Sequence, residues 1–284
     1  MPQTNCCPII KWVGGKRQLL SAIKARMPQT YGTYYEPFFG GGALFFELQP
    51  ERAVINDFND QLINLYKQIK DNHTSVVSII DKYQETYNSF KDKSDKLNYF
   101  YALRNKFNSF LRSNIKNPES AALFIFLNKA GFNGLYRVNA NGEFNVPSAH
   151  RDKINAYSLE NIQAVSSCLR KATILQGDFE DACKDVRPGD FVFFDSPYYD
   201  TFDTYQAGGF DEKAHRRLAT LFRQLSDRGV KCMMTNSNTD FIKELYSDFN
   251  IEVIDVKRMV NRDATKRTGQ EVIITNYQGG EDCG

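Results

Sequence analysis

The run Phe191-Val192-Phe193-Phe194-Asp195-Ser196-Pro197-Tyr198-Tyr199 places a carboxylate at the end of a short apolar segment. Four consecutive apolar residues after Gly189-Asp190 have the length and composition of a strand buried on both faces, as in a parallel sheet. Asp195 closes that strand. A carboxylate at the C-terminal edge of an open α/β sheet lies where such folds place their ligand sites. Pro197 stiffens the turn, and Tyr198 offers a ring on which a planar group can stack. Taken alone, the stretch is equally well a strand running into an ordinary Ser-Pro turn.

Two upstream stretches narrow the choice. Tyr34 to Phe38 has the pattern of a first strand, and Phe39-Gly40-Gly41-Gly42 that of a turn into a helix from Ala43 to Leu48. Glycines at such a junction let the backbone pass close to a ligand. Phe45 stands where a dinucleotide fingerprint needs its third glycine, which argues against a nicotinamide cofactor. Ala53 to Asp57 forms a second strand that ends in an acid able to accept hydrogen bonds from ribose hydroxyls. Nearer the start, Lys11-Trp12-Val13-Gly14-Gly15-Lys16 is not a phosphate-binding loop. Ile10 occupies the first glycine position, and Arg17 follows the lysine in place of Ser or Thr.

Asp195-Ser196-Pro197-Tyr198 resembles the Asp-Pro-Pro-Tyr signature of amino-directed DNA methyltransferases, with Ser196 replacing the first proline. Together with the Lys11–Lys16 and Glu36–Gly42 stretches in the same order, it makes the chain similar to the Dam-like adenine methyltransferases from Lys11 to Tyr277. The resemblance implies S-adenosylmethionine as cofactor, with Trp12 and Lys16 lining its pocket beside Phe38, Gly40 and Gly42. Asp57 would hold the ribose, the Asp178-Phe179 pair after a third strand the adenine, and Asp195 would lie near the methionine end. It also implies the chemistry. An exocyclic amino nitrogen is a poor nucleophile because its lone pair is delocalised into the ring, and acceptors on its hydrogens return density to it. The Asp195 carboxylate and the Ser196 carbonyl would be those acceptors, Pro197 would shape the turn, and Tyr198 would stack on the extruded base. Such a transfer calls for no metal and no covalent enzyme intermediate.

From Asp60 to Asn128 apolar residues recur at helical spacing (Leu62, Leu65, Tyr66, Ile69; Leu103, Phe107, Phe110, Leu111), so a helical insertion is expected there. Its aromatic residues are expected in the core, and Lys91 to Lys96, the most polar part, as a mobile connection. Phe126 to Pro147 is rich in Gly and Asn, which predicts a loop and a hairpin. This segment is similar to that of the GATC-methylating members. The resemblance implies that Arg137 and Leu135 read bases and that Asn133 enters the duplex, while Pro147 can pack on a thymine methyl. The similarity weakens at Ser148-Ala149-His150. Strands are further predicted at Thr173–Gly177, Lys231–Asn236, Ile251–Val256 and Glu271–Thr275, and helices at Gln18–Arg26, Leu159–Leu169, Glu212–Leu225 and Asp240–Tyr246. The expected fold is α/β: a seven-stranded, mostly parallel methyltransferase sheet with a helical target-recognition insertion. Residues 1–59 and 151–284 are assigned to the catalytic domain and 60–150 to recognition.

The 284 residues can bury one large or two modest cores. No run approaches the ~18 apolar residues of a membrane helix, and the start lacks a signal-peptide pattern, so a cytoplasmic protein with no membrane partner is expected. Six scattered cysteines and three scattered histidines show no metal-ligand spacing. Net charge is only +2, but residues 60–150 carry 12 Lys/Arg against 8 Asp/Glu. A second basic cluster, Lys257, Arg258, Arg262, Lys266 and Arg267, falls between the last two strands on a segment suited to phosphates. Duplex DNA is the expected partner, and no protein partner is evident. A monomer suffices for a site methylated one strand at a time. Two other functions remain open: a GATC-binding protein with weak or no catalysis, and a methyltransferase for cytosine amino groups or RNA. A restriction-system enzyme, a phage enzyme and a solitary methylase would read alike.

Overall fold

The structure, a computed structural model, describes residues 6–16, 18–199, 210–257 and 268–278. The chain divides into two compact units, each assembled from separated segments. Unit one contains Met1–Gly15, Gly40–Gln49 and Asn59–Gln176; unit two contains Lys16–Phe39, Pro50–Phe58 and Gly177–Gly284.

Seven strands, β1 (Tyr34–Glu36), β2 (Ala53–Asp57), β3 (Ala172–Gln176), β4 (Phe191–Phe194), β5 (Lys231–Ser237), β6 (Asn250–Lys257) and β7 (Thr268–Thr275), form one mixed, mostly parallel sheet in the order β3-β2-β1-β4-β5-β7-β6. β1 runs parallel to β2 and β4, and β4 parallel to β5; β7 is antiparallel to both β5 and β6. The apolar run that began the sequence argument is β4, with all four residues buried, as a central strand covered on both faces requires.

In unit two, Val192, Phe194, Cys232, Met234, Val272 and Ile274 pack against Leu218, Phe222 and Leu225 of α8 (Glu212–Asp227). Asp211 caps that helix by accepting the Ala214 N–H at 2.8 Å. The remaining helices of this unit are α1 (Leu20–Lys24), α7 (Phe179–Ala182) and α9 (Asp240–Leu245). The four-residue α7 has no sequence expectation behind it, being too short to show a period.

Unit one is built around α5 (Pro118–Ala130), which is buried from Ser120 through Asn128. Pro118 at its first turn and the Asn117 side chain, accepting the Ser120 N–H at 2.8 Å, fix its start. α3 (Asp60–Ser89) and α4 (Lys93–Arg112) pack along it, and α6 (Leu159–Arg170) packs on α3. Phe100, Phe107, Phe124 and Phe126 are fully buried and form core as expected, while Tyr99, Tyr101 and Phe110 are only partly buried. One expectation fails: Lys93 to Lys96 are not a connection but the first turn of α4, leaving only Phe90 to Asp92 between the helices. Asp95 in that turn complements the helix dipole, which makes a strongly polar stretch a good helix start. Most of the basic cluster after β6 lies outside the described residues. No helix among the described residues is long and apolar enough to cross a membrane.

Candidate active site

In unit two, Asp195 follows β4 directly and is 18% exposed at its side chain. Its Oδ1 receives the Lys16 ammonium at 2.7 Å and the Thr235 hydroxyl at 2.8 Å. Oδ2 takes no hydrogen bond among the described residues. Burial raises the Asp195 pKa above the ordinary carboxylate range, and the Lys16 charge and the two hydrogen bonds oppose that rise without cancelling it. The turn after Asp195 is laced to the end of β5. Asn236 donates to the Ser196 hydroxyl at 3.3 Å and accepts the Tyr199 N–H at 3.1 Å, while the Ser237 hydroxyl donates to the Tyr199 carbonyl at 2.8 Å. Tyr198 lies under the Lys16 ammonium, 4.4 Å from the ring centroid, and its phenol donates to Glu271 Oε2 at 2.5 Å.

Thr235, Asn236 and Glu271 carry no motif and were missed from the sequence. The available signal was polarity at strand ends: Thr235-Asn236 follows the apolar Cys232-Met233-Met234, and Glu271 precedes Val272-Ile273-Ile274. Because β7 runs antiparallel to β5, pairing Ser237 with Glu271, the start of β7 falls at the end of the parallel strands.

A second group in unit two is gathered by Asn56, whose amide donates to the carbonyls of Pro37 at 2.9 Å and Gly177 at 3.0 Å. The Phe39 N–H reaches the Asn56 carbonyl at 2.8 Å, and the Gly177 N–H the Asp57 carbonyl at 3.2 Å. These bonds hold together the loops that carry Phe38, Asp57, Asp178 and Phe179. The rings of Phe38 and Phe179 stack at 5.3 Å. Asp178 Oδ1 is engaged structurally, accepting the Glu180 N–H at 2.9 Å and Arg217 Nη2 at 2.8 Å, and the Arg217 guanidinium lies 5.0 Å over Phe179. Its Oδ2 has no hydrogen bond among the described residues.

In unit one, Trp12 stacks on Tyr136 at 5.6 Å and meets Phe124 edge-on at 6.3 Å. Gly40, at φ +49°, lies so near the indole that a Cβ would stand 2.8 Å from Trp12 Cδ1. The close approach that requires a glycine here is therefore to tryptophan. Gly42 adopts φ +67° as the N-cap of α2 (Ala43–Leu48).

Unit one also holds the Phe126–Pro147 segment. A 3-10 turn at Phe132–Gly134 follows α5, and the hairpin is closed by Asn139 N–H to the Glu143 carbonyl at 2.9 Å and Asn145 N–H to the Arg137 carbonyl at 3.1 Å. Tyr136, Phe144 and Val146 are buried beneath it, whereas Asn133, Arg137 and Pro147 are exposed and Leu135 half-exposed. Asn133 has φ +54°, and Arg137 Nε is steadied by Asn145 Oδ1 at 2.7 Å. The Asn128 amide ties this loop to the N-terminal segment, donating to the carbonyls of Gly134 at 2.7 Å and Lys11 at 3.0 Å.

A mostly parallel sheet with acids and aromatic rings at neighbouring strand ends has the architecture of α/β enzymes that bind nucleotide cofactors. The sequence matches the D12 class N6 adenine-specific DNA methyltransferase family over residues 12–260, and the chain belongs to that family. It is 39% identical to Type II methyltransferase M1.LlaDCHI of Lactococcus lactis subsp. cremoris, with 96% of each chain covered. It is 37% identical to Type II methyltransferase M.MjaIII of Methanocaldococcus jannaschii, covering 95% of this chain and 99% of that one. With the DNA adenine methylase of Haemophilus influenzae it shares 28% identity over 97% of this chain and 95% of that protein. The protein is thus an S-adenosylmethionine-dependent DNA adenine-N6 methyltransferase acting on DNA.

The residues of unit two fit that cofactor. Phe38 is only partly buried and would be the ring available to an adenine, with Phe179 buried behind it against Arg217. Asp178 and Asp57, acids at or just after strand ends, are of the type that would accept hydrogen bonds from a cofactor's amino group and ribose hydroxyls.

Proposed function

We propose that the enzyme methylates the adenine of GATC in duplex DNA, on a base flipped out of the helix. The observation that carries the chemical part is the posture of Asp195. One oxygen is fixed by Lys16 and Thr235, and the other has no partner among the described residues. A carboxylate immobilised in this way accepts one hydrogen of the adenine amino group through Oδ2, and the Ser196 carbonyl accepts the other. Both bonds turn the nitrogen lone pair out of the ring plane and raise its nucleophilicity. S-adenosylmethionine, when bound, supplies a methyl group activated by its sulfonium. As the new N–C bond forms the amino group must lose a proton, and the raised pKa of Asp195 makes it the better acceptor. Tyr198 stacks on the flipped base. Ser196 stands where the Asp-Pro-Pro-Tyr signature has its first proline, and its bond to Asn236 supports an ordered turn in proline's absence.

Trp12, Lys16, Phe38, Gly40, Gly42, Asp57, Asp178, Phe179 and Asp195 are assigned to the cofactor, and Asn133, Leu135, Arg137 and Pro147 to DNA. For the latter group, the exposure of Asn133, Arg137 and Pro147, with Leu135 partly exposed, along one anchored loop supports the assignment. Residues 60–150 are proposed as the target-recognition domain of a monomeric enzyme. The test is incubation with labelled S-adenosylmethionine and a GATC duplex, a scrambled duplex or RNA, followed by identification of the modified base. N6-methyladenine confined to the GATC duplex is expected. Equal labelling of the scrambled duplex would refute the specificity, and labelled cytosine or RNA the substrate.

A further inference from the structure

We infer that Glu271, on the antiparallel strand β7, is a positioning residue that presets the Tyr198 ring for the incoming base by holding its phenol. The inference rests on the proposed stacking role of Tyr198. The phenol-to-carboxylate bond, at 2.5 Å, has the length of a charge-assisted O–H···O contact, the stronger kind. Burial, the Asp195 charge and the Glu271 charge together hold the Tyr198 pKa well above the usual phenol value, so the hydroxyl keeps its proton and is the donor.

The ring is gripped at a second point as well. Lys16 lies over its face while bonding Asp195 at 2.7 Å. A ring fixed at its tip by Glu271 and at its face by Lys16 has lost the rotations that would otherwise be frozen out when a base stacks on it. Its plane is also tied, through the same ammonium, to the carboxylate that meets the amino group. Such preorganisation acts on the reacting complex more than on the cofactor. The placement follows from sheet topology. With Ser237 opposite Glu271 and Val272, Ile273 and Ile274 buried behind it, β7 delivers one carboxylate to the end of the sheet where Asp195 and Tyr198 stand.

The test is a double-mutant comparison in single turnover, on a duplex carrying the methylated site, with the cofactor saturating. Glu271→Leu should slow methylation about tenfold and leave cofactor affinity within about twofold, and Glu271→Gln, which keeps an acceptor oxygen, should recover most of the rate. In a Tyr198→Phe background, which removes the hydroxyl but not the ring, Glu271→Leu should have no further effect. With 2-aminopurine replacing the target adenine, Glu271→Leu should change the fluorescence of the flipped base as Tyr198→Phe does. Multiplying losses, a parallel fall in cofactor affinity, or a normal rate for Glu271→Leu would each overturn the inference. Should Glu271→Leu fail to fold, Glu271→Gln and Tyr198→Phe decide: a tenfold loss in the former with none in the latter also overturns it. Tyr198→Ala separates the underlying reading, because a normal rate and unchanged fluorescence in that variant would remove the stacking role itself.

Discussion

The proposed mechanism concentrates the chemistry in one side chain, Asp195, and its surroundings set how it responds to substitution and to pH. Asp195→Ala removes the acceptor that orients the amino group, so single-turnover methylation should fall by about a hundredfold or more in a folded protein. Ser196→Pro should behave otherwise. The Ser196 carbonyl survives and only the Asn236 contact at 3.3 Å is lost, so the rate should stay within about tenfold, roughly 1.4 kcal/mol in the barrier. The pKa of Asp195 is raised by burial and pulled back by Lys16. Because the anion is the active form, activity should be lost as pH falls through a value higher than that of an ordinary aspartate. Lys16→Met removes the opposing charge and should move that acid limb further up, seen in single-turnover rates against pH at saturating cofactor. A limb that stays in place or moves down would mean that Asp195 is not the group being titrated. For stability the sign is opposite to that of an ordinary ion-paired carboxylate. The folded state binds the proton more tightly, so stability declines as pH rises from the unfolded pKa to the raised one and is level above it.

At the scale of the element, the Phe126–Pro147 segment and the strand ends show what local sequence can and cannot declare. β4 was legible because four apolar residues bounded by Gly189-Asp190 and Pro197 admit little else, and α2 and β2 because a glycine turn and a strand-end acid frame them. The start of α4 was misread because lysines and aspartates mark both loops and capped first turns, and only the helix following them decides between the two. The hairpin at Asn139–Glu143 was legible from the Gly- and Asn-rich composition of Phe126–Pro147, although its strands are no more than isolated bridges, held by Phe144 and Val146 beneath. Arg137 stands exposed on that hairpin with Nε already bound to Asn145, which leaves its terminal nitrogens to form the fork that a guanine edge requires. Arg137→Ala should therefore cost ~1–3 kcal/mol at one base pair and relax preference there. Equal losses on cognate and scrambled duplexes, measured by binding titration, would make Arg137 a phosphate contact instead.

Across the whole molecule, what the sequence left hidden is what three separated chain segments make only when they meet. Unit two joins Lys16–Phe39, Pro50–Phe58 and Gly177–Gly284, and the partners of the Asp195 carboxylate come from the first and last of these. Lys16 was singled out by its motif, but for the cofactor pocket and not as a partner of Asp195. Thr235 and Glu271 were not, since no short pattern announces a residue whose role is set by strand pairing. The same assembly separates two functions within one residue, Asp57. Its main-chain carbonyl accepts the Gly177 N–H and so helps to hold the loop bearing Asp178 and Phe179, and its carboxylate is the group proposed for the cofactor's ribose. Asp57→Ala keeps the carbonyl, so the melting temperature without ligand should change little. Cofactor at a hundredfold excess over its Kd should stabilise the unaltered enzyme by about 2.7 kcal/mol, a shift of roughly 5–10 °C in a chain of this size. In Asp57→Ala most of that shift should vanish at the same cofactor concentration. A variant that melts early without ligand would make Asp57 structural, and one that keeps the full shift would place the ribose elsewhere.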